Sequence, residues 1–230
     1  MNNDAVKEPL LLTIAVLGGT GKEGKGLAYR WAKAGYKVLI GSRSSERSVT
    51  AASEIMELAE GNTSVVGTSN REAAQLAEIV VLSVPYAAHR ETLESVKDVL
   101  KGKILVDVTS LSVPPMVTKV MTLPAGSATQ EAREIVGEGV EVVAAFQSIS
   151  HKHLLTDEDV DCDVLVTGTS KDARAEVLKL VEAAGLIGWD AGPIENSVVV
   201  EGLASVLRYI NKQYGSTYAG VRITGVSKKS

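Results

Sequence analysis

Apolar residues along this chain gather into short runs, separated by stretches where they recur every three or four positions. The runs are LTIAVLG (12–18), KVLIGS (37–42), SVVGT (64–68), EIVVLSV (78–84), KILVDVT (103–109), VEVVAAF (140–146), DVLVTG (163–168) and IGWDAG (187–192). Most are nearly continuous in Val, Ile and Leu, as strands covered on both faces require. Between them, 25–34, 48–60, 71–77, 89–101 and 171–184 carry the helical spacing. Strand and helix alternating at this cadence predict an α/β fold with a parallel, doubly wound sheet.

The pattern loosens over 110–138, where Pro114, Pro115 and Pro124 interrupt any regular element. Within it, Ser127 followed by Gln130 has the form of a capping box that opens a short helix to Val136. One long helix is expected from about Glu195 to Tyr214, then a tail with basic Lys228 and Lys229. There is no internal repeat and no low-complexity linker. We therefore expect residues 1–150 to form a Rossmann-type nucleotide-binding domain and 151–230 a small C-terminal α/β appendage.

Composition narrows the field of functions. The 230 residues are 45% hydrophobic and 23% charged, with a formal net charge of -4. That balance offers nothing to attract nucleic acid or an anionic membrane, so an anionic ligand must be met by local cations. A single cysteine, Cys162, rules out an internal disulfide and suits a reducing compartment. Heading a strand-like run, it reads as a buried, inert thiol. The start MNNDAVKEPLLL carries Asp4 and Glu8 where a secretory leader would be basic, and its apolar segment is too short to span a bilayer. The expectation is a cytoplasmic protein.

Gly19-Thr20-Gly21-Lys22-Glu23-Gly24 satisfies G-x-G-x-x-G and lies between a strand and a helix, the context in which the motif binds dinucleotides. Gly19 permits the tight turn, Gly21 admits the pyrophosphate, and Gly24 lets helix and strand pack closely. The diphosphate then rests on free N–H groups at the positive end of the helix. An acidic residue ending the second strand would select NAD through the ribose 2′-OH. Here Ser42-Arg43 stands in that place, with Arg47 one turn further. Guanidinium groups match a 2′-phosphate, and each charge-assisted bond contributes about 1.5–3 kcal/mol. NADP(H) is the expected cofactor.

The remaining strand ends supply candidates for chemistry. SVPYAAH (83–89) brings Val84 and His89 towards the nicotinamide half, His89 as a helix-start histidine near the cofactor rather than a general acid. Asp107, Thr109, Gln147, Ser148 and Ser150 follow other strands as hydrogen-bonding groups without forming a catalytic set. His151 and His153, with Asp157 and Asp159, are poorly spaced for one ion, and no metal is expected. Tyr29 and Lys33 mimic the Y-x-x-x-K pair of carbonyl reductases but fall on the first helix, behind the phosphates. Tyr209 and Lys212 are three positions apart rather than four. A mouth with a nicotinamide, polar walls and no clear proton relay suits a partner that takes hydride into a conjugated ring. For such a pair, proximity alone can supply roughly 7–11 kcal/mol.

The stretches AVLGGTGKEGKGLAYRWAKAGYKVLIGSR, VVLSVPYAAH, WDAGPIENSVVVEGL and AGVRITG resemble the NADPH-dependent coenzyme F-420 (8-hydroxy-5-deazaflavin) reductases, from Ala15 to Gly225. That resemblance implies a Rossmann fold with a small C-terminal appendage, a homodimer or larger homo-oligomer, and hydride passing between nicotinamide C4 and deazaflavin C5. It places Thr20, Gly21, Lys22 and Glu23 at the diphosphate, and Ser42, Arg43 and Arg47 at the 2′-phosphate. Val84 and His89 would border the adenine or nicotinamide side. Gln147, Ser148, Ser150, His151 and Ala219 would form the deazaflavin pocket. The chain departs from relatives at Gln147, often histidine, and at Tyr86, often tryptophan; 110–137 supports no residue-level transfer. Two other readings stay open on the residues alone: an NADPH-dependent imine or ketone reductase, which needs a buried acid above the nicotinamide, and an NADP-sensing module that binds without turnover.

Overall fold

The structure is a computed structural model that describes residues 11–60, 63–111, 114–157 and 159–227. Asp4, Glu8 and the basic pair Lys228 and Lys229 lie outside these. Eight strands form one sheet: β1 (Ile14–Leu17), β2 (Lys37–Ser42), β3 (Ser64–Ser69), β4 (Ile79–Leu82), β5 (Ile104–Asp107), β6 (Glu141–Ala144), β7 (Asp163–Gly168) and β8 (Ile187–Pro193). Their spatial order is β3-β2-β1-β4-β5-β6-β7-β8. The sheet reverses direction of growth between β1 and β4, which opens a crevice beyond the carboxyl ends of those strands.

The helices are α1 (Lys22–Lys33), α2 (Ser45–Leu58), α3 (Asn70–Leu76), α4 (Tyr86–Val96), α5 (Ala128–Val136), the single turn α6 (His151–Leu154), α7 (Lys171–Ala183) and α8 (Ser197–Tyr214). They cover both faces of the sheet, and alternation along the strands decides which residue meets which layer. Ile14 and Val16 of β1 join Leu27, Trp31, Ile55 and Leu180 in one apolar layer. Ala15 and Leu17 join Ala74, Leu93, Val96 and Ala132 in the other. Burying one such large side chain is worth about 1.5–3 kcal/mol, so the two layers dominate the stability of the sheet. Trp31 sits in the first without a polar penalty, because its indole N–H donates to the Leu180 carbonyl at 2.9 Å.

The doubly wound parallel sheet that the sequence predicts is present from β3 across to β6, and the direction changes only at the far edge. β6 and β7 pair antiparallel, while β7 and β8 are parallel to each other. A parallel neighbour needs a crossover that returns the chain to the other end of the sheet. The link from β6 to β7 contains only the one-turn α6 and stays at the carboxyl end of β6. As a result, β7 begins beside the crevice. Ser127 caps α5 where the sequence predicts, its hydroxyl accepting from the Gln130 N–H at 3.0 Å, which is the N-cap half of a capping box.

Candidate functional site

The first turn of α1 divides two cavities at the carboxyl ends of β1, β2, β4 and β5. One, of about 440 Å³, is walled by Gly18, Thr20, Gly21, Ser42, Arg43, Arg47, Asn70, Val84 and Pro85 among others. Its floor is backbone. Gly18 has φ +74°, and a Cβ there would lie 2.4 Å from the Ser83 carbonyl oxygen, so only glycine brings the loop this close to β4. Gly24 packs against the loop so tightly that a Cβ would stand 2.8 Å from Gly19 Cα. Gly21 caps α1 without a side-chain acceptor, which leaves the first-turn amides turned to an incoming anion.

The rim of this groove carries the cations. Ser42 ends β2 buried, and its hydroxyl accepts from the Ser44 N–H at 3.2 Å, bending the chain into α2. Ser44 in turn accepts from the Arg47 N–H and caps α2. These local bonds turn Arg43 and Arg47 to the same opening, and among the described residues neither enters an ion pair. Asn70 Oδ1, at the start of α3, is buried in this groove with no hydrogen-bond partner. An orphaned acceptor, bare helix amides and two uncommitted guanidiniums fit a phosphorylated dinucleotide.

The second cavity, about 300 Å³, lies on the other side of the turn, between Glu23, Val108, the segment Gln147–Lys152, and Arg208 and Ala219 near the C-terminus. Gln147, Ser148, Ser150, His151 and Ala219 are thus brought together from segments far apart in the chain. The link is pinned onto α1: Arg30 donates to the carbonyls of His153 at 2.8 Å and Leu154 at 3.2 Å. Gly26 allows this contact, since a Cβ there would lie 2.4 Å from Leu154 Cβ. Phe146, buried and edge-on to Trp31, takes φ +74°, a strained turn that throws Gln147 towards the cavity. His151 is held below the usual histidine value by burial and by Lys22 and Lys152.

Two expected residues sit elsewhere than the motif implies. Glu23 faces the second cavity rather than the phosphate groove, and Lys22 is exposed and lines neither. His89 is fully buried and also lines neither. Its Nε2 is 2.7 Å from Asp107 Oδ2, and its Nδ1 is 3.5 Å from Glu131 Oε1. Burial opposes the charged ring, but Asp107 and Glu131 outweigh it and hold His89 above its ordinary value. Asp107 also accepts from the Thr109 N–H at 2.9 Å, and its carbonyl accepts from Gln147 Nε2 at 2.7 Å. His89 therefore steadies the aspartate that holds Gln147.

Sequence reasoning missed the side chains that fasten the C-terminal segment. Asp163, buried at the head of β7, accepts from Trp189 Nε1 at 2.8 Å and from the Ile223 N–H at 2.7 Å, while its own N–H donates to the Val221 carbonyl at 2.7 Å. Asn211 Oδ1 accepts from the Ala219 N–H at 3.0 Å. Glu201 of α8 is 3% exposed and takes the N–H groups of Ala128 and Thr129 at the start of α5. An aspartate heading an apolar strand and a glutamate inside an apolar helix were the available signals. Cys162 is buried, and burial together with Asp163 and Asp161 pushes its thiol up to about 11, in keeping with an inert role. Tyr29 and Lys33 both bind Asp157, away from either cavity.

The family profile described as NADP oxidoreductase coenzyme F420-dependent matches residues 13–110. The F420-dependent NADP reductase of Methanothermobacter marburgensis is 40% identical over 222 residues, covering 94% of this chain and 99% of its own. That of Methanocaldococcus jannaschii is 35% identical over 225 residues, covering 94% and 99%. Among solved structures, an Arthrobacter sp. FB24 protein described as a candidate F420-dependent NADP-reductase superposes with TM-score 0.78 at 25% identity. It covers 93% of this chain and 100% of its own.

Proposed function

This chain belongs to the F420-dependent NADP reductases, and from that premise we propose that it transfers hydride between NADP(H) and the deazaflavin coenzyme across the first turn of α1. The observation that carries the reading is the pair of cavities on either side of that turn: one floored by glycine backbone and rimmed by free arginines, the other walled by polar side chains. When both are bound, hydride would pass between nicotinamide C4 and deazaflavin C5.

The residues bind and orient. Gly19, Gly21 and Gly24 shape the loop, Thr20 and the first-turn amides take the diphosphate, and Ser42, Arg43 and Arg47 take the 2′-phosphate. Val84 and Pro85 carry the cofactor over the end of β4. Gln147, Ser148, Ser150, His151 and Ala219 hold the second ring, and His89 acts through Asp107. Rigid walls holding two flat rings at contact are sufficient, because proximity is then the main catalytic term. In this reading 1–150 carries NADP(H), and 151–230 closes the second cavity.

Val199, Val206, Ile210 and Tyr214 form an exposed apolar stripe along α8, which supports a homodimer through that helix. Val206→Glu is expected to convert the dimer to a monomer in sedimentation; an unchanged sedimentation coefficient rejects this interface. No helix among the described residues is long and apolar enough to cross a membrane, and we place the protein in the cytoplasm. The direct test mixes protein, NADPH and deazaflavin coenzyme. Catalytic loss of the coenzyme's visible band is expected, and an unchanged band overturns the reading.

A further inference from the structure

Two residues that line the second cavity each carry a buried oxygen without a hydrogen-bond partner: Glu23 Oε1 and Gln147 Oε1. Their chemistry differs. The amide of Gln147 cannot be turned around, because its Nε2 already donates to the Asp107 carbonyl at 2.7 Å. Its Oε1 is therefore the atom left without a partner, an acceptor in search of a donor. A buried carboxylate at Glu23 would be a second acceptor, unpaired and expensive, whereas a carboxylic acid there is a donor.

We propose that Glu23 is a neutral carboxylic acid that donates to a ring carbonyl of the bound heterocycle, while Gln147 Oε1 accepts the adjoining ring N–H. Together they read an imide edge, C=O beside N–H. This deepens the function proposed above and rests on it, since the pyrimidinedione half of a deazaflavin presents that edge. It also moves Glu23 from the diphosphate to the second ring.

The surroundings agree. Burial raises Glu23 to about 8, against the opposing pull of Arg208. The charged and titratable groups around the cavity are Arg208 from α8, His151 and Lys152 from α6, and Lys22 at the start of α1. Arg208 is the cation that acts on Glu23, and it also donates to Ser110 at 3.3 Å. With a neutral Glu23, the cavity retains its positive groups for the coenzyme's anionic tail.

The test is binding of oxidised deazaflavin coenzyme without NADPH, followed by quenching of coenzyme fluorescence at pH 7, 8 and 9. A donor titrating at about 8 raises the wild-type Kd about tenfold from pH 7 to 9 as the proton is lost. In Glu23→Gln the amide donates at every pH, so that slope disappears; any slope shared with wild type belongs to the coenzyme's own titration. Gln147→Leu is expected to weaken binding about tenfold at every pH and keep the wild-type slope. Tight binding with a flat wild-type profile, or an undiminished slope in Glu23→Gln, overturns the assignment of Glu23 and leaves the function standing. Absence of coenzyme binding at any pH, in protein that still binds NADPH, overturns the function and this assignment together.

Discussion

The two cavities beside α1 are built on different principles. The larger groove takes its floor and its cations from two short contiguous stretches: a glycine loop whose backbone is the floor, and a strand end whose local hydrogen bonds turn two arginines outward. The second cavity is made by segments brought from residues 23, 108, 147–152, 208 and 219, several of them fastened by long-range polar bonds such as Gln147 to Asp107, Arg208 to Ser110 and Ile223 to Asp163. A site built locally tolerates change elsewhere in the fold, while a site built from distant pieces depends on its fastenings. Breaking one rim cation should therefore injure one ligand, and breaking one fastening should injure the other.

The largest expected effect tests the groove. On the proposed reading, Arg43→Ala removes one charge-assisted contact to the 2′-phosphate, worth about 1.5–3 kcal/mol. The KM for NADPH should rise about 10–100-fold with NADH kinetics nearly unchanged, and deazaflavin affinity should stay put. Equal losses with NADPH and NADH would dissolve the contrast, because Arg43 would then not distinguish the two ribose groups.

The fastening of the second cavity comes next. Asp163→Ala strands the Trp189 and Ile223 donors and frees the segment carrying Ala219. Leaving such donors unpaired costs about 1–3 kcal/mol each when buried, part of it relieved here by the water that reaches this edge. Deazaflavin binding should weaken about tenfold in a fluorescence titration, while NADPH binding changes less than twofold. If NADPH suffers as much, the two cavities are not mechanically separate.

The same contrast decides what could be read from the chain. The groove was legible because its signals are contiguous: Gly19 to Gly24 and Ser42 to Arg47 carry their geometry in their spacing. Strand and helix positions were legible for the same reason, since period and capping are local. The antiparallel turn at β7 was not, because hydrophobic runs record burial and not direction. Glu23 lines the second cavity although the motif groups it with the phosphate loop, because one helical step from the first-turn amides already turns a side chain round the helix. His89 looked like a cofactor neighbour until Asp107, 18 positions later, drew it inward. Asp163 and Glu201 were visible only as polar residues in apolar surroundings, a signal that marks a bond without naming its partner.

The last effect lies beneath both cavities, touches neither ligand and is a matter of pH. Glu201 is raised to about 7, by burial first and then by Asp107, against the hydrogen bonds from Thr129 and Ala128. In the unfolded chain it returns to an ordinary value near 4.5. Between these values the folded protein holds a proton that the unfolded chain has released. Stability therefore falls as pH rises from about 4.5 to 7 and levels off above, by on the order of 2–3 kcal/mol. His89, raised by Asp107 and Glu131 against its burial, adds a decline of the same sign, but one that begins only above the ordinary histidine value of 6.5. Denaturant titrations of wild type and Glu201→Gln at pH 5, 6 and 7 separate the two. The glutamine can still accept from the start of α5, and it removes one of two carboxyl groups that titrate over this interval, Glu23 being the other, so its decline should be shallower than that of wild type by about 2–3 kcal/mol. Parallel declines would move the titration to another group and leave Glu201 as a simple cap on α5.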